Sequence, residues 1–391
     1  MNKIDMQQEL IRMEKEGLTR HVHPLSMYKG KYFFNKQRIL NFSSNDYLNL
    51  SENRKVKRVA IEAIKSYKCG ASSSALVSGY FDIHCKLENS LALLLGQKEA
   101  IVWGSGFLAN FGILKAIASK DDNIYVDRLV HASLVDGCLL SRANLFRYKH
   151  NDQNHLEELI KKSSGKGKKI IVTESVFSMD GDIAPIKDIL QIAEKYNALL
   201  IVDEAHALGV FGKTGGGICQ DLKTNRKPDI IVGTLSKALG SYGGFTACSS
   251  IVKKYLINKA RSYIYSTALP PVCAAAALAS LNLIRKDSKK LGSKTIKKAK
   301  LFHKLLTGSG FNMQPFNSQI IPLHIGDNKK AVDLSKMLLE QYGILTPAIR
   351  PPTVPAGTAR LRLSITLGHS SKDLSYAINA ISRSAKELNI L

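Results

Sequence analysis

The stretch that decides the fold opens with Leu199-Leu200-Ile201-Val202-Asp203-Glu204-Ala205-His206. It closes with Ile230-Ile231-Val232-Gly233-Thr234-Leu235-Ser236-Lys237. Each half is a short, unbroken apolar run followed at once by polar or small residues. A run without alternation is the mark of a strand covered on both faces, as in the parallel sheets of α/β proteins. Outward from it, the same pattern recurs at Ala100–Trp103, Ile124–Val126 and Ile170–Val172, with helical periodicity between the runs. The expectation is an α/β fold with a mostly parallel sheet. The chain between Asp203 and Lys237 has room for one helix and a return to the adjacent strand.

Ligands of such sheets collect at the carboxyl ends of the strands. The residues there are Gly104-Ser105-Gly106-Phe107, Asp127 with His131, Glu174 with Ser178, Asp203 with His206, and Thr234-Leu235-Ser236-Lys237. A carboxylate at one strand end and a lysine at the next is what pyridoxal 5'-phosphate requires. The amine binds the aldehyde covalently, and the carboxylate keeps the pyridine nitrogen protonated so that the ring accepts electrons. Lys237 could otherwise be an ordinary surface lysine. Its hydroxyl- and glycine-rich setting, with Gly240, Gly243 and Gly244 close behind, instead suits phosphate and close backbone approach. Gly104–Phe107 would open a helix whose first amides attract phosphate. His131 reads as a core histidine, a metal ligand or a group stacked on a planar ring. With no Cys or His partner at ligand spacing, stacking is the preferred functional reading and no metal is expected.

The final hundred residues differ. Ala359-Arg360-Leu361-Arg362-Leu363-Ser364-Ile365-Thr366 alternates as a half-buried strand does, with the leucines and Ile365 inward and both arginines outward. Arg362 is then either a surface charge or a planar anchor for a carboxylate. The proline-rich segment before it, residues 348–358, reads as an ordered loop. Three parts are expected: an N-terminal helix and segment over 1–45, a large cofactor-binding α/β domain over 46–285, and a small C-terminal α+β domain over 286–391.

At 391 residues, 45% hydrophobic and 23% charged, the chain reads as globular. No run reaches the ~18 apolar residues of a membrane span. Residues 1–16 lack an apolar core, and the six cysteines form no C-x-x-C pair. These features predict a cytoplasmic protein with reduced thiols and no membrane partner. A net charge of +24 raises nucleic-acid binding. The lysine-rich stretches Lys161–Lys169 and Lys286–Lys304 nevertheless lack the run of aromatics of a stacking platform, so no nucleic-acid partner is expected. Asp203-Glu204-Ala205-His206 followed by Gly212-Lys213-Thr214 suggests a nucleic-acid-binding NTPase. A phosphate loop, however, needs G-x-x-x-x-G-K-[ST] before a helix, and here Ala207 stands at the first glycine position. That reading is the distant alternative.

Further segments complete the picture: Asn41-Phe42-Ser43-Ser44-Asn45-Asp46-Tyr47-Leu48, Val77-Ser78-Gly79-Tyr80, His131-Ala132-Ser133-Leu134, Val176-Phe177-Ser178-Met179-Asp180-Gly181-Asp182, Tyr265-Ser266-Thr267, and Arg350-Pro351-Pro352-Thr353-Val354-Pro355 running on to Leu363. With the Lys237 region they resemble the α-oxoamine synthases, pyridoxal-phosphate enzymes of the aspartate-aminotransferase-like fold. The likeness runs from about Asn41 to His369. It implies a fold-type I transferase: a large domain with a mostly parallel sheet and a smaller α+β C-terminal domain. It also implies decarboxylative acyl transfer. Lys237, Asp203 and His131 would be catalytic, binding the aldehyde, holding the ring nitrogen and stacking on the ring. His206 and Ser178 would lie near the ring hydroxyl. Ser105, Thr234, Ser236 and the amides of Gly106 and Phe107 would bind phosphate, with Ser266 and Thr267 reaching the partner subunit's phosphate in a homodimer with shared active sites. Arg362 would grip the amino-acid carboxylate with Asn45 close by, and Arg20 and Thr353 would contact substrate. The 350–363 segment most resembles the branch that condenses L-alanine with a pimeloyl thioester, carried on coenzyme A or an acyl carrier protein. Branches that use glycine, such as glycine C-acetyltransferase or 5-aminolevulinate synthase, are the alternative. Leu76, Leu208 and Gly216 depart from the usual pattern.

Overall fold

A computed structural model describes residues 3–163, 167–224 and 226–391, apart from the side chains of residues 3, 288 and 289. Residues 164–166 of the Lys161–Lys169 stretch therefore lie outside the described residues. After the helix Lys3–Lys15 come three short antiparallel strands, Ser26–Tyr28 (β1), Lys31–Phe34 (β2) and Gln37–Asn41 (β3). The central strands are Glu99–Trp103 (β4), Asn123–Asp127 (β5), Asn144–Tyr148 (β6), Lys169–Glu174 (β7), Leu199–Asp203 (β8), Ile230–Thr234 (β9) and Gly244–Cys248 (β10). Ile320–Gly326 (β11), Ile344–Leu345 (β12), Ala348–Ile349 (β13) and Ala359–Ser364 (β14) follow.

The seven central strands form one sheet in the order β4-β10-β9-β8-β7-β5-β6. Pairs β5–β6, β5–β7, β7–β8 and β8–β9 are parallel, while β10 runs antiparallel to both its neighbours. All five apolar runs are strands of this mostly parallel sheet. Two further strands escaped them. The outer strand β6 is only partly buried, and β10 reads Gly-Phe-Thr-Ala-Cys, without an aliphatic run. The link from β8 to β9 also differs from expectation: it reaches the adjacent strand through loops and the 3-10 turn Ile218–Asp221, with no α-helix among its described residues. Gly209, Gly212, Gly215 and Gly217 all take positive φ there, which a right-handed helix cannot accommodate.

The chain divides into two compact units rather than three parts. The larger comprises 46–178 and 182–295, and the smaller comprises 1–45, 179–181 and 296–391. The N-terminal segment is thus not separate, because β3 pairs in parallel with β12. The change of unit falls at Thr295/Ile296 instead of 285/286. The helical stretch Pro271–Gly308, broken only at Asp287, runs through it, and Ala299, Phe302 and Leu306 enter the C-terminal core with Phe42, Leu361 and Leu363.

Strand β14 corrects a further expectation. It lies between β11 and β13 and is buried along its whole length, with Arg360 and Arg362 at 3% and 5% exposure. Buried guanidiniums need partners. Arg360 pairs with Asp180 and donates to Thr358 O; Arg362 donates to Asn45 Oδ1 (3.1 Å) and Ser364 Oγ (2.8 Å). Among the described residues no helix is long and apolar enough to cross a membrane.

Strand β10 fits only because its first residue has no side chain. A Cβ on Gly244 would lie 2.4 Å from Ser105 O and 2.6 Å from Gly106 N. Gly244→Ala is expected to cost about 1–3 kcal/mol through this overpacking. A urea midpoint equal to the wild type's would show that the β10 edge yields freely.

Candidate active site

Strands β5, β7, β8 and β9 end on Asp127, Glu174, Asp203 and Thr234. Parallel pairing brings those ends to one edge, and register sets Glu174 directly beside Asp203. Lys237 follows β9 in a turn closed by the Gly240 N–H on Lys237 O (2.8 Å). Gly240 has φ 59°, and a Cβ there would sit 2.3 Å from Ser51 N, so this turn requires glycine.

Lys237 Nζ lies 2.8 Å from His206 Nε2, and His206 Nδ1 lies 2.6 Å from the buried hydroxyl of Tyr47. Asp203 accepts from Asn110 Nδ2 (2.8 Å) and from the Ala205 N–H (2.8 Å). Asn110 also donates to Ser133 Oγ, which lies 2.8 Å from His131 Nδ1. His131 caps the helix Ala132–Ser141, and its own N–H donates to the Glu174 carboxylate. His131, Ser133, Asn110 and Asp203 are thus one connected network. Desolvation holds the His131 pKa below its ordinary value, against the opposing charge of Asp203. Burial, and then the Asp203 charge, push the Glu174 carboxyl well above the usual carboxylate range.

Ser105 caps the helix Gly106–Ile117 by accepting the Leu108 N–H (3.1 Å), leaving the first amides of that helix at the same edge. Gly106 packs on Thr234: a Cβ there would come within 3.3 Å of the Thr234 Cβ. Thr234 and Ser236 both donate to Gly243 O. The helix amides, two hydroxyls and a close backbone approach make a phosphate cradle. With an amine, a carboxylate and the His131 ring alongside, the donor set fits pyridoxal phosphate group by group. Asn110 Oδ1, buried and with no hydrogen-bond partner, marks room for one more polar contact beside Asp203.

The larger unit thus brings together Lys237, Asp203, His206, His131, Thr234, Ser236, Ser105, Gly106 and Phe107, and carries the buried Ser178. Ser266 and Thr267, on the same unit, line a pocket with Tyr80, Trp103, Gly104 and Ser262. Arg362, Asn45, Arg20 and Thr353 belong to the smaller unit. There Arg362 and Asn45 bond each other, while Arg20 and Thr353 are exposed. Arg350 donates to Gly17 O and Thr19 O, which draws the segment of Arg20 towards the proline-rich loop.

Sequence reasoning gave no role to Tyr47, Asn110 or Glu174. Asn110 lies one turn into the phosphate-facing helix, a spacing that could have suggested it. Tyr47 and Glu174 are recognisable only from their partners. The helicase-like reading fails on the same grounds. Glu204 is fully buried and accepts from Ile218 N, Cys219 N and Ser175 Oγ. The amides of Lys213, Thr214 and Gly216 are already donated to Asp221 and Gln220, so they cannot wrap a phosphate. Gly216 has no room for a side chain, since its Cβ would meet Gln220 and Leu94 O at 2.8 Å.

Because folding raises the Glu174 pKa, the folded chain holds a proton that the unfolded chain releases. This stability is complete below the unfolded value and declines as pH rises from about 5. Glu174→Gln, which mimics the protonated acid, is expected to flatten that decline. Parallel pH profiles of the urea midpoint in the two proteins would contradict a proton on Glu174.

The comparisons with known proteins agree with this geometry. The family described as Aminotransferase class I and II matches residues 37–381. 8-Amino-7-oxononanoate synthase of Geobacter sulfurreducens is 42% identical over 385 residues, covering 98% of each chain. The enzyme of that name from Lysinibacillus sphaericus is 41% identical, again covering 98% of each. Among solved structures, serine palmitoyltransferase of Sphingomonas wittichii superposes with TM-score 0.94 at 27% identity over 100% of both chains. 8-Amino-7-oxononanoate synthase of Francisella tularensis matches with TM-score 0.76 at 32% identity, over 89% of this chain and 98% of that one. A further serine palmitoyltransferase, from S. paucimobilis, carries bound PLP. The cofactor is pyridoxal 5'-phosphate and the fold is the fold-type I α/β architecture. On these grounds the chain belongs to the class I and II aminotransferase family, within its 8-amino-7-oxononanoate synthase branch, and is an acyltransferase of biotin biosynthesis.

Proposed function

We propose that the chain condenses L-alanine with a pimeloyl thioester, giving 8-amino-7-oxononanoate, CO2 and the free thiol carrier. The observation that carries this reading is the near full-length match to relatives of that name, joined to a lysine–histidine–carboxylate set suited to their cofactor. Bound pyridoxal phosphate supplies an electron sink for the amino-acid α-carbon.

The chain's own residues then divide the work. Lys237 Nζ would hold the cofactor aldehyde and, as a free amine, would take the amino-acid α-proton. Its neighbour His206 Nε2 can accept from the ammonium that results. Asp203, fixed by Asn110 and Ala205, keeps the pyridine nitrogen protonated. His131 stacks on the ring, and His206 and Ser178 serve its hydroxyl. Ser105, Thr234, Ser236 and the amides of Gly106 and Phe107 hold the phosphate. Arg362 anchors the alanine carboxylate with Asn45, and Arg20 and Thr353 meet the acyl donor. The working form is a cytoplasmic homodimer in which Ser266 and Thr267 reach the partner subunit's phosphate.

Thiol release by the cofactor-loaded protein tests the substrates. Release with pimeloyl-CoA and L-alanine is the expected result. Release only with acetyl-CoA or succinyl-CoA and glycine would move the chain to a sister activity. Release only from a pimeloyl carrier protein would keep the reaction and change the donor. Lys237→Ala is expected to abolish turnover, and Asp203→Asn to lower kcat by at least about a hundredfold with the fold intact. A near-normal rate in either variant would remove the corresponding role.

A further inference from the structure

The segment after β7 does more than carry Ser178. Val176 bridges Ile183, the Phe177 N–H donates to Asp182 O (3.0 Å), and the Ala184 N–H donates to Ser175 O (3.0 Å). Residues 176–183 are thereby a closed strap. Its two ends belong to the larger unit and its tip, Met179–Gly181, to the smaller one. At the tip Asp180 pairs with Arg360, two residues along β14 from Arg362.

The base of the strap is held by a histidine between two carboxylates. His150 Nδ1 lies 2.9 Å from Asp127 Oδ1, and Nε2 lies 2.7 Å from Asp182 Oδ2. The ring stands edge-on to Phe177, with centroids 4.4 Å apart at 86°. Asn151 turns the chain with φ 52° and ties the same two acids, through its N–H to Asp127 Oδ2 (2.9 Å) and Nδ2 to Asp182 Oδ2 (2.6 Å). Neutral imidazole can donate to one carboxylate only, so two such contacts require both nitrogens to carry protons. Burial disfavours the charged ring. Hydrogen bonds and the charges of Asp127 and Asp182 outweigh it and raise the pKa to about 10. Tyr148 and Glu174, at the ends of β6 and β7, are also within the field of Asp127, and Arg128, Lys149 and Asp152 flank the clamp along the chain.

We propose that His150, bridging Asp127 and Asp182, is a positioning residue for the reaction: it clamps the strap so that Ser178 is fixed at the strand-end edge. This rests on the reading of Ser178 as a cofactor-site residue given above. The clamp is complete below the pKa of an unfolded histidine and is lost as pH rises through about 10. An amide in place of the ring carries no charge and leaves the two acids held only by neutral donors, chiefly those of Asn151.

The test uses the full chain with His150→Gln and, since that variant could fold poorly, Asp182→Asn. Leu281→Ala, a core truncation elsewhere in the larger unit, serves as a control for general destabilisation. Without cofactor, amide exchange over 176–183 is expected to quicken by about tenfold or more in the two clamp variants, and not in the control. With cofactor bound, the pH midpoint of its visible absorption band is expected to move in the clamp variants and in Ser178→Ala, while the control stays with the wild type. Unchanged strap exchange in both clamp variants would overturn the proposal. So would a band that moves in Ser178→Ala but in neither clamp variant. A band unmoved by Ser178→Ala would overturn the reading of Ser178, and the proposal with it.

Discussion

Two carboxylates set side by side in a dry place constrain everything around them. Glu174 and Asp203 end adjacent parallel strands in direct register, so neither can move away from the other without breaking the sheet. Like charges that close, buried together, favour a proton on one of them. The surroundings decide which. Asp203 receives two N–H donors, while Glu174 is fully buried with the His131 amide on one oxygen, and burial lifts its pKa well above the usual carboxylate range. The proton is thus favoured on Glu174, with Asp203 beside it at the strand-end edge.

The remaining site follows from that asymmetry. Asn110 fixes Asp203 and, through Ser133, ties it to His131, so the groups proposed for the ring nitrogen and for the ring face share one network. Lys237 has its own partner in His206, whose far nitrogen meets the buried Tyr47 hydroxyl. Such networks specify geometry because each member is satisfied only when all are in place. The glycines at 106, 240 and 244 let backbones approach where side chains would clash, which is how a lysine, a helix end and a reversed strand meet at one edge.

Buried charge is managed in the same way away from this edge. Arg360 and Arg362 look like outward residues of an alternating strand, yet both are buried and both are paired. Strand alternation reports which side chains share a face; it says nothing about whether that face is later covered. The same limit explains β6 and β10, which lack the apolar signature because an edge position and a glycine-led close packing do not demand it.

The sequence alone determined the parallel sheet, since runs such as Leu199–Val202 are too apolar and too short for anything but doubly covered strands. It also pointed to Lys237, Asp203, Thr234 and Gly106 as strand-end neighbours, because the end of each run is local to that run. Tertiary structure decided the rest. The roles of Tyr47, Asn110 and Glu174 depend on partners from other strands and helices, and no spacing rule encodes a contact between residues 47 and 206. The unit boundary at 295/296 and the return of residues 179–181 to the smaller unit belong to packing. A helix or a strap takes its place from the core that its buried face finds, and that is known only once the chain has folded.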